Sequence, residues 1–424
     1  MLRVIIISKG SAGDINPYTG IGQALKERGH DVHLIANDHF RLTIEKAGLN
    51  FISMGTEDEY QQGIDDPRAQ HPRKSFQFLC KELFLAHVRK NLDYIHQINV
   101  HGDTAILAHA TAPEGRLARE IFSIPTVLGV PQPMWLRSAV NPPKSSLNIP
   151  QGGVRWNRAM YCLVDRFLLD PPLKELNIIR AEYGFKEPVK RFFKHWWFDV
   201  DLVVGLFPKW FAPRQPDWPG NFAHTGFVLC DGVANEETPE HEWEAMLKEY
   251  DAMPPVVFTT GTPFAHEERF FQIEVDACRT LERPGILLTP YSAQVPASLP
   301  AYVRHFKFVP FSKLFPRVFC VVHHGGINTV AACLAAGVPQ IIVPTKGGFD
   351  QVDNGRRVET LGVGCMLSRA SLTPSKLADA ILSAEAYTGD KRAHYAREME
   401  RVRSTTLPTI CDLIEKQIGR YPGC

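Results

Sequence analysis

The stretch Val321 to Pro344, VVHHGGINTVAACLAAGVPQIIVP, limits the fold more than any other part of the chain. It reads strand, glycine turn, helix, turn, strand. Cys320 to Val322 closes an apolar run of the kind found in strands buried on both faces. Gly325 and Gly326 allow a sharp turn and a close approach of backbone to a ligand. Asn328 and Thr329 are helix-capping types, and the helix formers from Val330 to Ala336 stop at Gly337, where a C′ glycine belongs. Gln340 to Val343 is the next strand. A strand, a crossover helix and a second strand build a parallel sheet, and the helix N-terminus meets the sheet's carboxyl edge. Free N–H groups and the positive end of the helix dipole coincide there. The tip therefore attracts an anion, each dipole interaction being worth roughly 0.3–1 kcal/mol. His323 and His324 add ring donors for phosphate oxygens. Asp350 and Gln351 follow the second strand, a carboxylate and an amide with no core role. Phosphate at a helix tip, with polar groups beyond it, suits a sugar nucleotide.

The opening of the sequence repeats the pattern with different chemistry. Arg3 to Ser8 is a buried strand, and the loop KGSAGDINP follows, with Asn16 read as a cap and Pro17 as the first helical position. Gly29 stops this helix and Val32 to Ala36 is the next strand. The glycines are not spaced GxGxxG, so the dinucleotide fingerprint is weak. The turn instead carries an acid, Asp14, to the edge where α/β folds keep their chemistry. Taken alone, Asp14 reads as a capping aspartate as well as it reads as a base. Thr104 to Ala108 is a strand ending in His109, and Thr126 to Val130 ends in PQPMW. Residues 38–100 alternate helix-like and loop-like text. Residues 136–198 read as helices (156–169 and 173–183) and long loops, which tend to be functional in such domains. Their aromatics, and Trp210-Phe211, suit core packing better than an acceptor wall. Leu202 to Leu206 is another strand, and the polar text at 226–238 is the best linker. The βα pattern then restarts. Its strands are Pro255–Thr259, ending in Thr260-Gly261-Thr262 with a helix from about His266, then Gly285–Thr289, Phe306–Val309, 320–322 and 340–343. Helices Pro374–Ala386 and Lys391–Leu407 close the sequence.

Composition removes whole classes of partner. Lys+Arg 47 against Asp+Glu 46 leaves a net charge of +1, so the chain as a whole offers nothing to nucleic acid or an anionic membrane. The nine cysteines are scattered and odd in number, without CxxC or zinc spacing, which suits reduced thiols in a cytoplasm and no metal site. The N-terminal apolar run is a first strand rather than a signal peptide, and nothing approaches the ~18 apolar residues of a membrane span. A cytoplasmic protein is expected. Peripheral contact with the inner membrane is left open, although no basic amphipathic helix is read in the sequence. At 424 residues there is room for two or three domains.

The stretch HHGGINTVAACLAAGVPQIIVP followed by DQVDN (350–354) is similar to the donor-site pattern H-x-G-G-x-x-T…G-V-P…P…D-Q-x-x-N, and GSAGDINP to GSxGDxxP. Together they resemble glycosyltransferase family 1, with the GT-B fold. Within it, PRKSFQFL (72–79), PVKRFF (188–193) and LFPKWFAPRQPDWP (206–219) followed by HTGF resemble the bacterial rhamnosyltransferases of rhamnolipid synthesis. The resemblance implies two Rossmann-like α/β domains facing across a cleft. Residues 1–228 would bind the acceptor, 229–400 the nucleotide sugar, and the 401–424 helix would pack back on the first domain. It implies inverting, metal-independent transfer to a hydroxyl, with no cofactor beyond the donor. His324 would hold a diphosphate oxygen, with His323 in a lesser role. Gly325, Gly326, Asn328 and Thr329 would meet the phosphates, and Thr260, Gly261 and Thr262 would lie by phosphate and ribose. Val309 would read the base through its backbone, and Asp350 and Gln351 would bind the sugar. Asp14 would be the base, with His109 as partner.

Two departures bear on the donor. Many UDP-using members carry a Glu eight residues after the motif His, gripping both ribose hydroxyls; here Ala332 stands there. A deoxyribose lacks one of those hydroxyls, so the change favours a dTDP-sugar, and dTDP-rhamnose with a hydroxyalkanoyl lipid acceptor is the first reading. The segment TKGGF (345–349) is longer than in the rhamnolipid relative, which leaves the sugar open. A UDP- or dTDP-hexose transferase acting on a polyketide, a sterol or another natural product is the alternative. A catalytically silent sugar-nucleotide-binding subunit is a third, against which the intact Asp14 and Asp350 argue.

Overall fold

Each half of the sequence folds into its own parallel sheet of short strands buried on both faces. The computed structural model describes residues 1–418 apart from 67, 69–77, 145–148, 171–172, 232–238, 263–266, 346–347 and 388. Residues 232–238 of the expected linker, the segment 72–77, the expected helix start at His266 and part of the 345–349 segment thus lie outside the described residues. The chain divides into two compact units. One comprises 1–143, 147–230 and 402–424, and the other 144–146 and 231–401.

In the first unit the strands are β1 (Arg3–Ile7), β2 (Asp31–Asn37), β3 (Asn50–Gly55), β4 (Thr104–His109), β5 (Thr126–Val130), β6 (Leu202–Gly205) and β7 (Phe222–His224). Their order across the sheet is β3-β2-β1-β4-β5-β6-β7, every pairing parallel. β1 and β4 therefore sit side by side at the centre, and the loops after them start from one edge. Beneath them Val4, Ile6, Ile21, Leu25, Leu34 and Leu107 form one core cluster with Ile410, Cys411 and Ile414. Those last three belong to the long helix Gly389–Ile418, whose Asp412 and Glu415 also pair with Arg28 at 2.6 and 3.1 Å.

The second unit holds β8 (Val256–Thr259), β9 (Gly285–Leu288), β10 (Val303–Phe306), β11 (Cys320–His323), β12 (Gln340–Ile342) and β13 (Gly364–Met366), in the order β10-β9-β8-β11-β12-β13. All are parallel. One face packs on Phe270, Phe271, Val275, Leu377 and Ile381, the other on Trp243, Leu247, Leu314 and Phe315.

Several elements differ from the sequence reading. The first helix starts at Ala12, not Pro17, because Ser11 caps it and the Asp14 side chain reaches back to the Ser11 N–H at 2.9 Å. That capping box claims the N-terminus before Asn16 can, and Pro17 lies inside the helix. The helix at the donor turn spans Ile327–Ala336 with Gly326 as its cap, so Asn328 and Thr329 occupy its first turn. β10 lies at Val303–Phe306, and Val309 falls in the loop beyond it. The edge strands β3, β7 and β13 and the helix Glu240–Glu249 were not legible, and the last helix runs through Pro408 to Ile418 rather than stopping at Leu407. The helix Val154–Val164 exposes apolar side chains and arginines together, an amphipathic pattern that the sequence reading denied.

A buried ion pair braces the end of β1. Lys9 Nζ lies 2.5 Å from Glu114 Oε1, both side chains fully buried, and donates to the Phe84 and Ala86 carbonyls at 3.0 and 3.2 Å. Asn91 Nδ2 donates to the same carboxylate oxygen at 2.8 Å. Burial pulls the Lys9 ammonium below its usual range, and the Glu114 charge opposes that pull. Such pairs add little net stability but are costly to break from one side. Lys9→Met is expected to lower the stability of the first unit by about 3–5 kcal/mol, and Lys9→Met with Glu114→Gln to recover part of the loss, both read from urea unfolding.

Candidate functional site

The donor-like edge is built on β11 and the helix it feeds. Gly325 has φ +96, and a Cβ there would come within 2.9 Å of Ile342 and 3.0 Å of the Gln351 carbonyl. Glycine is thus required for both conformation and space. The next residue, Gly326, opens the 327–336 helix and leaves its first N–H groups facing the carboxyl edge. The His324 ring is wedged between two glycines. A Cβ on Gly261 would lie 2.6 Å from its Cε1, and one on Gly326 would lie 2.4 Å from its Nε2. Gly261, φ +78, sits in the turn after β8, so the two strand-end turns close on one imidazole. Burial pushes His324 down to about 4, against a hydrogen bond to the Thr259 backbone, so the ring is neutral near pH 7.

His323 is spent internally. The Gly325 N–H donates to its Nδ1 at 3.1 Å, which puts the ring proton on Nε2, facing Gln340 Oε1 at 3.1 Å. It is fully buried and pushed down to about 3 by burial and by His324. Both ring nitrogens are thus engaged within the fold, where the ring supports the glycine turn. The reading of Gln351 is corrected. Its Oε1 accepts from the Thr345 N–H and hydroxyl at 2.7 and 2.9 Å, and a Cβ on Gly348 would collide with the amide at 2.0 Å. It therefore has a core role that the sequence reading denied it. Half-buried Asp350 is tied in by Asn354, whose Nδ2 donates to Asp350 Oδ2 at 2.9 Å and to the Gly325 carbonyl at 3.0 Å. Thr260, fully buried at the end of β8, has a hydroxyl with no hydrogen-bond partner among the described residues. An orphan hydroxyl beside a helix tip is what a ligand oxygen would satisfy. Thr262 is half-buried, and its carbonyl accepts from Tyr291 Oη at 2.7 Å. Thr329 is buried and Asn328 half-buried in the first helical turn; Val309 is fully buried against Leu314 and Phe315.

The acid edge lies in the first unit. Gly10, φ +134, leaves room for the Asp14 carboxylate, since a Cβ there would fall 2.2 Å from Oδ2. That oxygen accepts from the Ser11 N–H and hydroxyl at 2.9 and 3.2 Å. The other, Oδ1, faces His109 Nε2 at 3.5 Å and Gln132 Nε2 at 3.4 Å. The Thr111 N–H lies 3.2 Å from His109 Nδ1, and the other ring nitrogen, Nε2, is on the Asp14 side without a hydrogen-bond partner among the described residues. Thr111 Oγ1, 2.5 Å from Nδ1, also bonds the Lys9 carbonyl at 3.1 Å. His109 is 1% exposed and the Asp14 side chain 21%, so the carboxylate alone can meet a substrate. Burial lowers the His109 pKa, and the Asp14 charge opposes this. Tyr18 packs its edge on His109 at 5.3 Å and donates to the Gly129 carbonyl at 2.9 Å. The capping reading of Asp14 holds for one oxygen, and the other faces a histidine. The supporting residues Gln132, Thr111, Lys9, Glu114 and Asn354 escaped the sequence reading. Only Asn354, inside DQVDN, and Gln132, at a strand end, carried a signal.

Two family models match the chain, one toward each end. Residues 4–110 match the glycosyltransferase family 28 N-terminal domain, and 286–409 the erythromycin biosynthesis protein CIII-like C-terminal domain. It has the fold and the domain signatures of a GT-B glycosyltransferase. The chain is 27% identical over 364 residues to O-mycaminosyltylonolide 6-deoxyallosyltransferase of Streptomyces fradiae, covering 81% of this chain and 80% of that one. It is 27% identical over 376 residues to sterol 3-beta-glucosyltransferase UGT80A2 of Arabidopsis thaliana, covering 86% of this chain and only 57% of the longer plant enzyme. Among solved structures, the glycotransferase of kitacinnamycin superposes with a TM-score of 0.74 at 17% identity, over 98% of this chain and 99% of that one. VinC in complex with dTDP gives 0.71 at 18% identity, over 99% and 100%. At such identities these structures establish the GT-B fold.

Buried neutral histidines make the turn after β11 acid-sensitive. Unfolded, His323 and His324 take up protons near 6.5; folded, only near 3 and 4. Between those values the unfolded state holds more protons, so stability falls as pH falls. A loss of roughly 1–2 kcal/mol per histidine is expected on going from about pH 6.5 to about pH 5, with a shallower pH dependence in His323→Gln, measured by urea unfolding.

Proposed function

We propose that this glycosyltransferase is inverting and metal-independent, and that it moves rhamnose from dTDP-rhamnose to a hydroxyl of a hydrophobic acceptor such as a hydroxyalkanoyl lipid. The observation that carries the chemistry is Asp14, a carboxylate with one oxygen locked by the helix cap and the other 3.5 Å from the buried His109 imidazole. An acceptor alcohol has a pKa far above 7 and must lose its proton as it attacks the anomeric carbon. A positioned carboxylate is worth about 10²–10⁴-fold in that step. His109 is the positioning residue: too buried to touch the acceptor, it backs the carboxylate with its ring and limits where that group can turn.

Charge then develops on the departing nucleotide diphosphate. The N–H groups of the 327–336 helix tip, neutral His324 as a donor and the orphan Thr260 hydroxyl would receive it. The proton goes to Asp14 and the bonding pair to the leaving diphosphate oxygen. Attack opposite that oxygen inverts the sugar carbon. Asp350, steadied by Asn354, would bond the sugar, with Gln351 shaping the wall beside it. Ala332 in place of a ribose-gripping acid supports a deoxynucleotide, and it packs against the apolar cluster around Trp243. The support for dTDP-rhamnose is this local argument together with the rhamnosyltransferase-like stretches. The alternative, a dTDP- or UDP-hexose transferase for a macrolide, sterol or other natural product, has support in the names of the relatives above.

The test is nucleotide release by the purified protein with dTDP- and UDP-sugars and a panel of hydroxy lipids, sterols and macrolides. Asp14→Asn is expected to lower kcat by about 10²–10⁴-fold without changing the thermal shift given by dTDP; full activity would refute the base. His109→Gln should cost less and shift the acid limb of the pH–rate profile. Ala332→Glu is expected to move donor preference toward UDP by about tenfold, roughly the worth of one charge-assisted hydrogen bond.

A further inference from the structure

The helix Val154–Val164 and the π-helical turn that continues it, Asp165–Leu169, emerge from the long connection after β5. One side is anchored. Asn157, 3% exposed, donates to the Ala139 and Gly152 carbonyls at 2.9 Å each; Tyr161 Oη donates to the Ser138 carbonyl at 3.0 Å; Asp165 pairs with Arg137 at 2.7 Å. These positions, 157, 161, 164 and 165, mark the inward face. The opposite face is apolar and uncovered. Trp156, Leu163 and Phe167, spaced seven and four residues apart, are 50%, 49% and 69% exposed. Ala159 lies exposed between them. Trp156 is half-fixed already, its indole N–H bonded to the Pro150 carbonyl at 3.2 Å.

The charges along this element settle what fits the stripe. Arg155 and Arg166 are exposed beside it and Arg158 is exposed further round the same helix, and none forms an ion pair with a described residue. Asp165 is the single acid between 154 and 167, and it is buried against Arg137. Two copies joined through this face would bring six arginines together with no acid to offset them, which disfavours a self-dimer. An anionic lipid surface answers both features. The aromatic and aliphatic tips enter the acyl boundary while guanidinium groups, on long stems, reach the headgroups. A cluster of cations at such a face adds an attraction that salt weakens. The overall net charge of +1 hides this local patch.

We infer that the 154–167 helix is an interfacial anchor that docks the protein on anionic phospholipid through Trp156, Leu163 and Phe167, with Arg155, Arg158 and Arg166 at the headgroups. The same connection carries Gln132 to Asp14, so docking would hold the acid edge's own loop at the lipid surface. The inference stands apart from the donor and acceptor proposed above, because binding is read without turnover.

The full-length protein is incubated with vesicles of phosphatidylcholine alone and of phosphatidylcholine with phosphatidylglycerol, then floated on a density gradient. Flotation with the anionic vesicles, weakened at least tenfold by high salt and by Arg155→Glu/Arg158→Glu, is the expected result. Leu163→Glu/Phe167→Glu should abolish it while leaving the melting temperature and the dTDP thermal shift unchanged. Brominated lipid should quench wild-type tryptophan fluorescence more than that of Trp156→Phe. No flotation at low salt, or equal flotation by the variants, would overturn the anchor. So would a concentration-dependent dimer that Leu163→Glu/Phe167→Glu breaks, because the stripe would then belong to a second copy.

Discussion

A parallel strand can reach its parallel neighbour only by a crossover, and that constraint arranges everything of interest in this protein. Each crossover leaves the sheet at the carboxyl edge and returns at the other. Loops, helix N-termini and short turns therefore collect on one edge of each sheet. In the first unit the turn after β1 and the end of β4 place Asp14 and His109 beside each other because those strands are neighbours. In the second, β8 and β11 pair in register from Cys320 against Val256 to His323 against Thr259, which brings Gly261 against the His324 ring.

Both edges spend stability on preorganisation. Two neutral imidazoles are buried at the end of β11, one consumed by the Gly325 N–H and Gln340, the other packed between glycines. Beneath the acid edge a lysine–glutamate pair is sealed from water. Neither arrangement is a cheap way to fill a core, since desolvating polar groups costs several kcal/mol unless every partner is in place. What they supply is fixed geometry. Asp14 shows the economy of the design: the hydrogen bonds that cap the first helix also aim the carboxylate, so the acid cannot swing without fraying the helix it starts.

Much of this was legible in the residues. The apolar runs at 3–8, 104–108, 126–130, 256–259 and 320–322 are too short and too continuous for surface helices, and all are strands. HHGG followed by DQVDN marked the glycine turn after β11, and GSAGD the acid-bearing turn after β1. The failures share a cause. β3, β7 and β13 are edge or near-edge strands of three to six residues, whose stability comes from pairing rather than from their own composition. Gln351 and His323 look like free polar groups in a string of letters, and they prove to be occupied once Thr345 and Gln340 are brought beside them. The helix at 154–164 failed differently: its apolar stripe is masked by mixed text until burial shows which face points outward.

The residues alone determined that this protein makes two βα units, that each carries a polar turn at a strand end, and which turn holds an acid and which a pair of histidines before a helix tip. Those properties follow from local periodicity, glycine placement and capping chemistry, which act over a few residues. Only the tertiary structure decided what surrounds the His109 ring, which of two adjacent histidines is held by Gln340 and the Gly325 N–H, and which side of the 154–167 helix meets solvent. These depend on atoms far apart in sequence, such as Thr111 with Lys9 and Gln340 with His323, and on burial. No local pattern encodes them.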